Sequence, residues 1–550
     1  MNLVSLKGLI ADVVTGNFSP GELHIENGRI ARITPLAVAP EGQVIVPGFV
    51  DAHVHVESSL LSPSAFGRQA CVHGTVATVS DPHEIGNVLG VEGVRWMIEE
   101  ARRSPVRIYF GAPSCVPATV FETAGARFGV PEVTALLSQP EVKYLAEVMN
   151  YPGVIARDSA VMDVVAVARR LRKRIDGHSP GVLGEALKKY VEVGIETDHE
   201  CSTLEEARQR AALGVFVAIR EGSAARNFDA LVPMLLERPE MCFLCSDDKH
   251  PDELLLGHIN RLVARAIAAG SSPMAALRAA TLNPVRHYGL ESGLLQLGDS
   301  ADFAILESLE TGRVRETWIG GTKVAANGVC LLPPPEVLPA ESYPNNFSRN
   351  PCREEDFAVP ASVDGRKIRV IVVRDGLLTT GIEEALPCVR DGRLVADGAR
   401  DLLKITVVNR YATSTPPAVA FIKNFGLKSG AISSSVAHDS HNIIAVGADD
   451  AALCAAVNAV IEHRGGLAAS FNGQSTVLPL PIAGLMNPGT CAEVGEAFTR
   501  LSEAAQAAGC PLRSPYMTLS FMALLVIPSL KLGDRGLFDV ETFSPTSLYV

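Results

Sequence analysis

The chain has no excess of positive charge: 49 Lys and Arg stand against 61 Asp and Glu, for a formal net charge of −12. Phosphate recognition needs basic patches, so a nucleic-acid partner is not expected. No run of about 18 uninterrupted apolar residues occurs, and the opening MNLVSLKGLIADVV has neither a basic n-region nor a cleavage site. The expectation is a cytoplasmic protein without a membrane partner. The 11 cysteines form no framework, and nothing in their spacing asks for an oxidising compartment. The one CxxC, Cys242 with Cys245, lies inside the apolar stretch MCFLC. Positions three apart on a strand face opposite ways, so both are read as packing residues. There is no internal repeat and no low-complexity tract. With 47% hydrophobic and 20% charged residues, the composition is that of an ordinary globular protein long enough for two or three domains.

What is present begins with VIVPGFVDAHVHVESS. Residues i and i+2 of a strand share a face, so His53 and His55 emerge side by side where the strand stops. HxH alone also fits a strand with two half-exposed histidines. Here Pro47 and Gly48 break the chain just before it, Asp51 adds a carboxylate, and similar strand ends recur. Apolar β-branched stretches end near His55, Asp81, Pro113, Glu147, His178, His199, Arg220 and Asp247, and helical segments separate most of them. Eight strand-then-helix units predict a (β/α)8 barrel with its chemistry at the carboxyl ends of the strands. A doubly wound open sheet would alternate in the same way but would not gather those ends into one ring.

Residues 49–295 are therefore assigned to the barrel. Residues 1–48 and 296–335 read as short strands and turns that pair into one small β domain. The Pro- and Asn-rich stretch after residue 330 is expected to be extended and exposed. Residues 350–550 alternate strands and helices as an independent α/β or α+β domain. Within that domain, AHDSHN (His438, Asp439, His441) could bind a further metal, reach over the barrel mouth, or form a hydrogen-bonded turn. The apolar TLSFMALLVIPSLKL is broken by proline and is assigned to core or subunit-interface packing.

The order HxH, a carboxylate on strand four, His on strands five and six and Asp on strand eight resembles the amidohydrolase superfamily. The longer wording is similar to the adenine deaminases: PGFVDAHVHVESSLLSPSAF, HGTVATVSDPHEIGNV, PSCVPAT, LAEVMNYPGV, DGHSPG, TDHECSTLEEA, REGSAARN, CSDDKHPDELL, VAHDSHNIIAVG, LPLPIAGLM and LSFMALLVIPSLKLGDRGLFDV. It runs through essentially the whole chain. Val56, Leu60, Ser246 and Lys249 depart mildly from the family's wording and remove no ligand or acid.

The resemblance implies hydrolytic deamination of adenine to hypoxanthine and ammonia, in purine salvage, by a metal-activated hydroxide attacking carbon six. It implies two divalent ions, manganese or ferrous iron, with zinc as an alternative. His53, His55 and Asp247 would hold one, His178 and His199 the other, and Glu147 would bridge them. Lys143, on the same strand face, is the alternative bridge if carboxylated; Glu147 is preferred because it lies nearer the strand's carboxyl end. Asp247 would carry the water's proton to the leaving amino group, and its neighbour Asp248 is expected to face away. A further acid must serve the ring nitrogens, and Glu84 is the candidate, with His83 beside it as a substrate contact. A homodimer is also expected from the resemblance. The small zinc deaminases offer a rival chemistry with H-x-E and P-C-x-x-C. His55-Val56-Glu57 supplies the first half, but neither Pro351-Cys352 nor Pro387-Cys388 is followed by the second cysteine. A sibling hydrolase acting on a modified adenine or cyclic amide, and a non-catalytic binding descendant, are the remaining readings.

Overall fold

A computed structural model describes residues 3–334, 337–362 and 364–550. The barrel expected from the strand-end pattern is present. Its strands are β1 (Phe49–Val54), β2 (Thr75–Ser80), β3 (Arg107–Ala112), β4 (Val142–Val148), β5 (Arg174–Gly177), β6 (Thr197–Asp198), β7 (Phe216–Arg220) and β8 (Cys242–Cys245). Each pairs in parallel with the next. The ring closes just beyond β8, where the Asp247 N–H donates to the His53 carbonyl at 3.0 Å and the His55 N–H to the Asp247 carbonyl at 3.4 Å. Asp51 staples the same seam from inside. It accepts from the Ser246 N–H at 3.0 Å and lies 2.8 Å from His258 Nε2. The carboxylate noted in the sequence beside HxH is therefore a closure device.

Helices cover the outside in the way their patterns dictate. Helix Ser159–Arg170 buries Val161, Val164, Val165 and Ala168, one face of a 3.6-residue period, and Asp158 caps its first turn through the Ala160 N–H. Strand Val44–Pro47 pairs antiparallel with Phe303–Leu306. One eight-stranded sheet is thereby built from chain segments on either side of the barrel. Its described strands end at Cys330; residues 335 and 336 lie outside the described residues.

A second eight-stranded sheet follows in the order 381–385, 368–372, 418–423, 403–408, 443–447, 431–434, 466–471, 474–479, with helix Asp450–Glu462 packed against it. The segment leading into it is only partly the exposed tether expected. Asn346 donates to the Val88 carbonyl at 3.1 Å, Asn345 to the Arg464 carbonyl at 2.7 Å, and Phe347 is buried. Asparagine amides satisfy backbone groups as readily inside as in turns, so composition alone misjudges such a stretch. Between strands Ala431–Ser434 and Ile443–Gly447, residues 435–442 turn toward the barrel mouth. Buried Arg410 holds that turn through the His441, Asn346 and Ala483 carbonyls.

Candidate active site

At the carboxyl end of the barrel a buried set of imidazoles and carboxylates converges. β1 contributes His53 and β4 Glu147, and the residues just past β1, β5, β6 and β8 include His55, His178, His199 and Asp247. Donor atoms of His53, His55 and Asp247 lie within 4.8 Å of one another, as do those of His53, Glu147 and His199. Glu147 faces both sides: Oε1 is 3.5 Å from His55 Nε2, while Oε2 is 2.9 Å from His178 Nδ1 and 3.1 Å from His199 Nε2. Lys143, at the start of β4, is half-buried and is not among the residues that line the chamber above the cluster.

The backbones beneath are pinned. Fully buried Arg210 reaches Asp198 Oδ2 at 2.8 Å and the Ser179 carbonyl at 2.5 Å, tying together the residues next to His199 and His178. Asp247 itself adopts φ 53°, a left-handed conformation that Asp tolerates better than most residues. That twist ends the strand's alternation, so Asp248 does not face away as expected. It lines the same chamber and accepts from Ser58 Oγ at 2.6 Å. Burial, then the charge of Asp247, pushes the Asp248 carboxyl up to about 6.

Two residues escaped the sequence reading. Glu200 lies 3.2 Å from His199 and 3.5 Å from His178, and Arg220 Nη1 bridges it to Asp247 at 2.6 and 2.7 Å. Burial raises the Asp247 carboxyl, but Arg220 and the two β1 histidines outweigh it and hold it well below the usual range. The available signals were the acid directly after His199 and the Arg closing β7.

Whether this set suits divalent cations is decided by tautomers. His55 Nδ1 lies 3.2 Å from the Asp81 carbonyl, which has no proton to give, so Nδ1 is the donor. In the neutral ring Nε2 is then a lone pair, and it faces Asp247 Oδ1 at 3.3 Å and Glu147 Oε1 at 3.5 Å. Lone pairs facing carboxylate oxygens repel unless a cation lies between them, and a backbone carbonyl on the far nitrogen is the usual partner of a ligating histidine. His53 Nε2 and His178 Nε2 are buried without hydrogen-bond partners among the described residues. The donors therefore fit metal ions, and imidazole with carboxylate suits manganese, iron or zinc.

A narrow chamber lies over this cluster. His83 lies across it, with Nδ1 3.3 Å from Asp81 and 3.6 Å from Glu147 and Nε2 3.7 Å from Asp439. Glu84, in the first turn of helix His83–Ala101, is reached by His438 Nδ1 at 2.8 Å and His441 Nε2 at 2.7 Å. Burial raises its carboxyl, but the two imidazoles outweigh that and hold it well below the usual range. Glu84 is thus a carboxylate held ionised between two imidazoles, a different character from the free acid expected there. The remaining wall is apolar: Met149, Leu378, Phe521, Leu524, Val526 and Ile527. The stretch assigned from sequence to core packing is therefore a face of this chamber.

The amidohydrolase family model matches residues 44–324, and the model of the adenine deaminase C-terminal domain matches residues 377–544. An adenine deaminase from Salinibacter ruber is 49% identical over 547 residues, covering 99% of each chain. One from Methanosarcina barkeri is 48% identical over 550 residues with the same coverage, and one from Parabacteroides distasonis is 46% identical over 546 residues, covering 99% of this chain and 98% of its own. With the barrel, its histidine and carboxylate cluster and the C-terminal domain all accounted for end to end, the chain belongs to the adenine deaminase family of the amidohydrolases.

Proposed function

We propose that this protein hydrolyses adenine to hypoxanthine and ammonia, a step of purine salvage. The observation that carries the reading is one chamber whose floor is the barrel's histidine and carboxylate cluster and whose roof comes from the domain matched to adenine deaminases. His53, His55 and Asp247 would hold one divalent ion, His178 and His199 a second, with Glu147 between them; manganese or ferrous iron is our assignment, with zinc as the alternative. When bound, such a pair supplies the Lewis acidity that makes water a nucleophile near neutral pH.

The chain's own groups supply the rest. Arg220 occupies Asp247 Oδ2, so Oδ1 is the oxygen turned to the cluster. As a carboxylate it takes the proton of the attacking water as the C6–O bond forms, then passes a proton to the amino nitrogen as the C6–N bond breaks. Arg220 and Glu200 hold that carboxylate in one orientation. His83 and the apolar wall contact the purine, and the wall excludes bulk water.

The test is ammonia release from adenine by the purified protein with manganese added, and again after treatment with a chelator. Turnover that disappears with chelation and returns with manganese is the expected result. No ammonia under any metal condition would refute the assignment.

A further inference from the structure

His438 belongs to the C-terminal domain, and every part of its ring but one is accounted for. It is 2% exposed, and Nδ1 lies 2.8 Å from Glu84 Oε1. One face stacks on Phe521, with centroids 4.3 Å apart and planes 17° from parallel. Nε2 has no hydrogen-bond partner among the described residues, yet the residue lines the chamber together with Asp439 and Asp248. Leaving a buried imidazole nitrogen unpaired costs the group its lost hydration. Inside a packed core that cost would have no return; beside a reaction chamber a bound molecule can remove it.

We propose that His438 is a substrate-binding residue, its Nε2–H donating to a ring-nitrogen lone pair of the purine while Glu84 holds the imidazole from behind. This deepens the adenine reading above and rests on it. Glu84 thereby acts through His438 as a positioning residue. Burial disfavours the charged ring, but Glu84, and after it Asp248 and Asp439, carry it up to about 9. Both ring nitrogens then bear protons at neutral pH, and Nε2 can only donate. His441 takes a different part. Its Nδ1 accepts the Ala437 N–H at 3.3 Å, and its Nε2 lies 2.7 Å from Glu84 Oε2, away from the chamber. A site of this kind discriminates between a purine nitrogen, which accepts, and a C–H at the same place, which leaves the donor unpaired.

The experiment compares adenine with 1-, 3- and 7-deazaadenine, each lacking one ring nitrogen, as ligands of the manganese-loaded protein by calorimetry and competitive inhibition. In the wild type, one analogue should bind roughly ten- to hundredfold more weakly than the other two. His438→Asn keeps an amide opposite Glu84 but has nothing at the Nε2 position; that one penalty should vanish while the others stay. His438→Gln, which puts a donor back near Nε2, should restore it. Should His438→Asn lower the thermal midpoint markedly, His438→Phe, which keeps the stacking on Phe521, is read in its place. Penalties identical in wild type and variant, or absent for all three analogues in the wild type, overturn the proposal. A wild type that deaminates adenine but shows either pattern sinks this inference alone; one that neither binds nor deaminates adenine sinks the functional reading with it.

Discussion

At the barrel mouth, His55 gives its Nδ1 proton to a backbone carbonyl, and as a neutral ligand it would turn the Nε2 lone pair toward two carboxylates; in the C-terminal turn, His441 takes a backbone N–H on Nδ1 and sets Nε2 2.7 Å from one. The two knots use the same residue types under similar burial. Around His53, His55, His178 and His199 the nitrogen and carboxylate donors converge in overlapping groups, and a divalent cation would reconcile them. Around Glu84 each carboxylate oxygen has its own imidazole, at 2.8 and 2.7 Å, and no second carboxylate faces the pair of rings as closely. Proximity of histidine and acid is thus not the sign of a metal site; the far nitrogen of each ring decides.

The sharpest way to break this comparison is to remove the charge shared by the barrel knot. Glu147→Gln keeps the shape of the side chain but leaves His178 and His199 facing a neutral amide. Metal content should fall toward one ion per chain, and adenine turnover by 10³-fold or more. Metal analysis by mass spectrometry with a turnover assay checks both. Full occupancy of two ions would show that Glu147 does not bridge.

Asp247→Asn should come next. An oxygen donor remains, so metal content should fall only partly, but the amide cannot accept the water's proton, and turnover should drop by roughly 10²–10⁴-fold. The chamber-facing Asp248 sharpens the assignment. Asp248→Asn should cost less, since its Oδ1 is already occupied by Ser58. A silent Asp247→Asn beside a dead Asp248→Asn would mean that the roles are reversed.

Glu84→Gln tests the other knot. Adenine turnover should fall by roughly 10- to 100-fold as His438 loses its anchor, while the metal count stays at the wild-type value. A lost ion would make the Glu84, His438 and His441 group a metal site and erase the distinction.

These residues were unequally legible in the sequence. The barrel floor could be read because each candidate ligand sits at or just past the end of a barrel strand, and strand endings are local signals of period two and of breakers. Asp248 was misjudged because that periodicity stops at Asp247, whose left-handed φ no local pattern announces. Glu200 and Arg220 carry their meaning in an ion pair with each other and with Asp247. The roof was harder still. Glu84 meets His438 across more than 350 residues of chain, and Phe521 to Ile527 read as core because an apolar wall and an apolar core have the same composition.

The smallest expected effect lies where the two regions touch. Glu122, in the loop after β3, accepts from the Thr119 N–H and hydroxyl, both at 3.1 Å, and lies by Asp439 and Ser440 of the C-terminal turn. Burial, then the charge of Asp439, pushes its carboxyl up to about 8. A carboxyl raised in the folded state binds its proton more tightly there than in the unfolded chain. Its contribution to stability is therefore complete below the ordinary Glu range near 4.5 and is lost as pH rises through about 8. Glu122→Gln mimics the protonated acid and has no charge to bury. Its thermal midpoint should exceed that of the wild type by a few degrees at pH 9, and the gap should close as pH falls toward 5. Catalysis should change little at pH 7, because the wild-type side chain is still mostly protonated. Scanning calorimetry of both proteins across this range checks the sign: a gap that widens toward acid would mean that Glu122 is ionised in the folded protein and that the turn carrying His438 is held by charge at this contact.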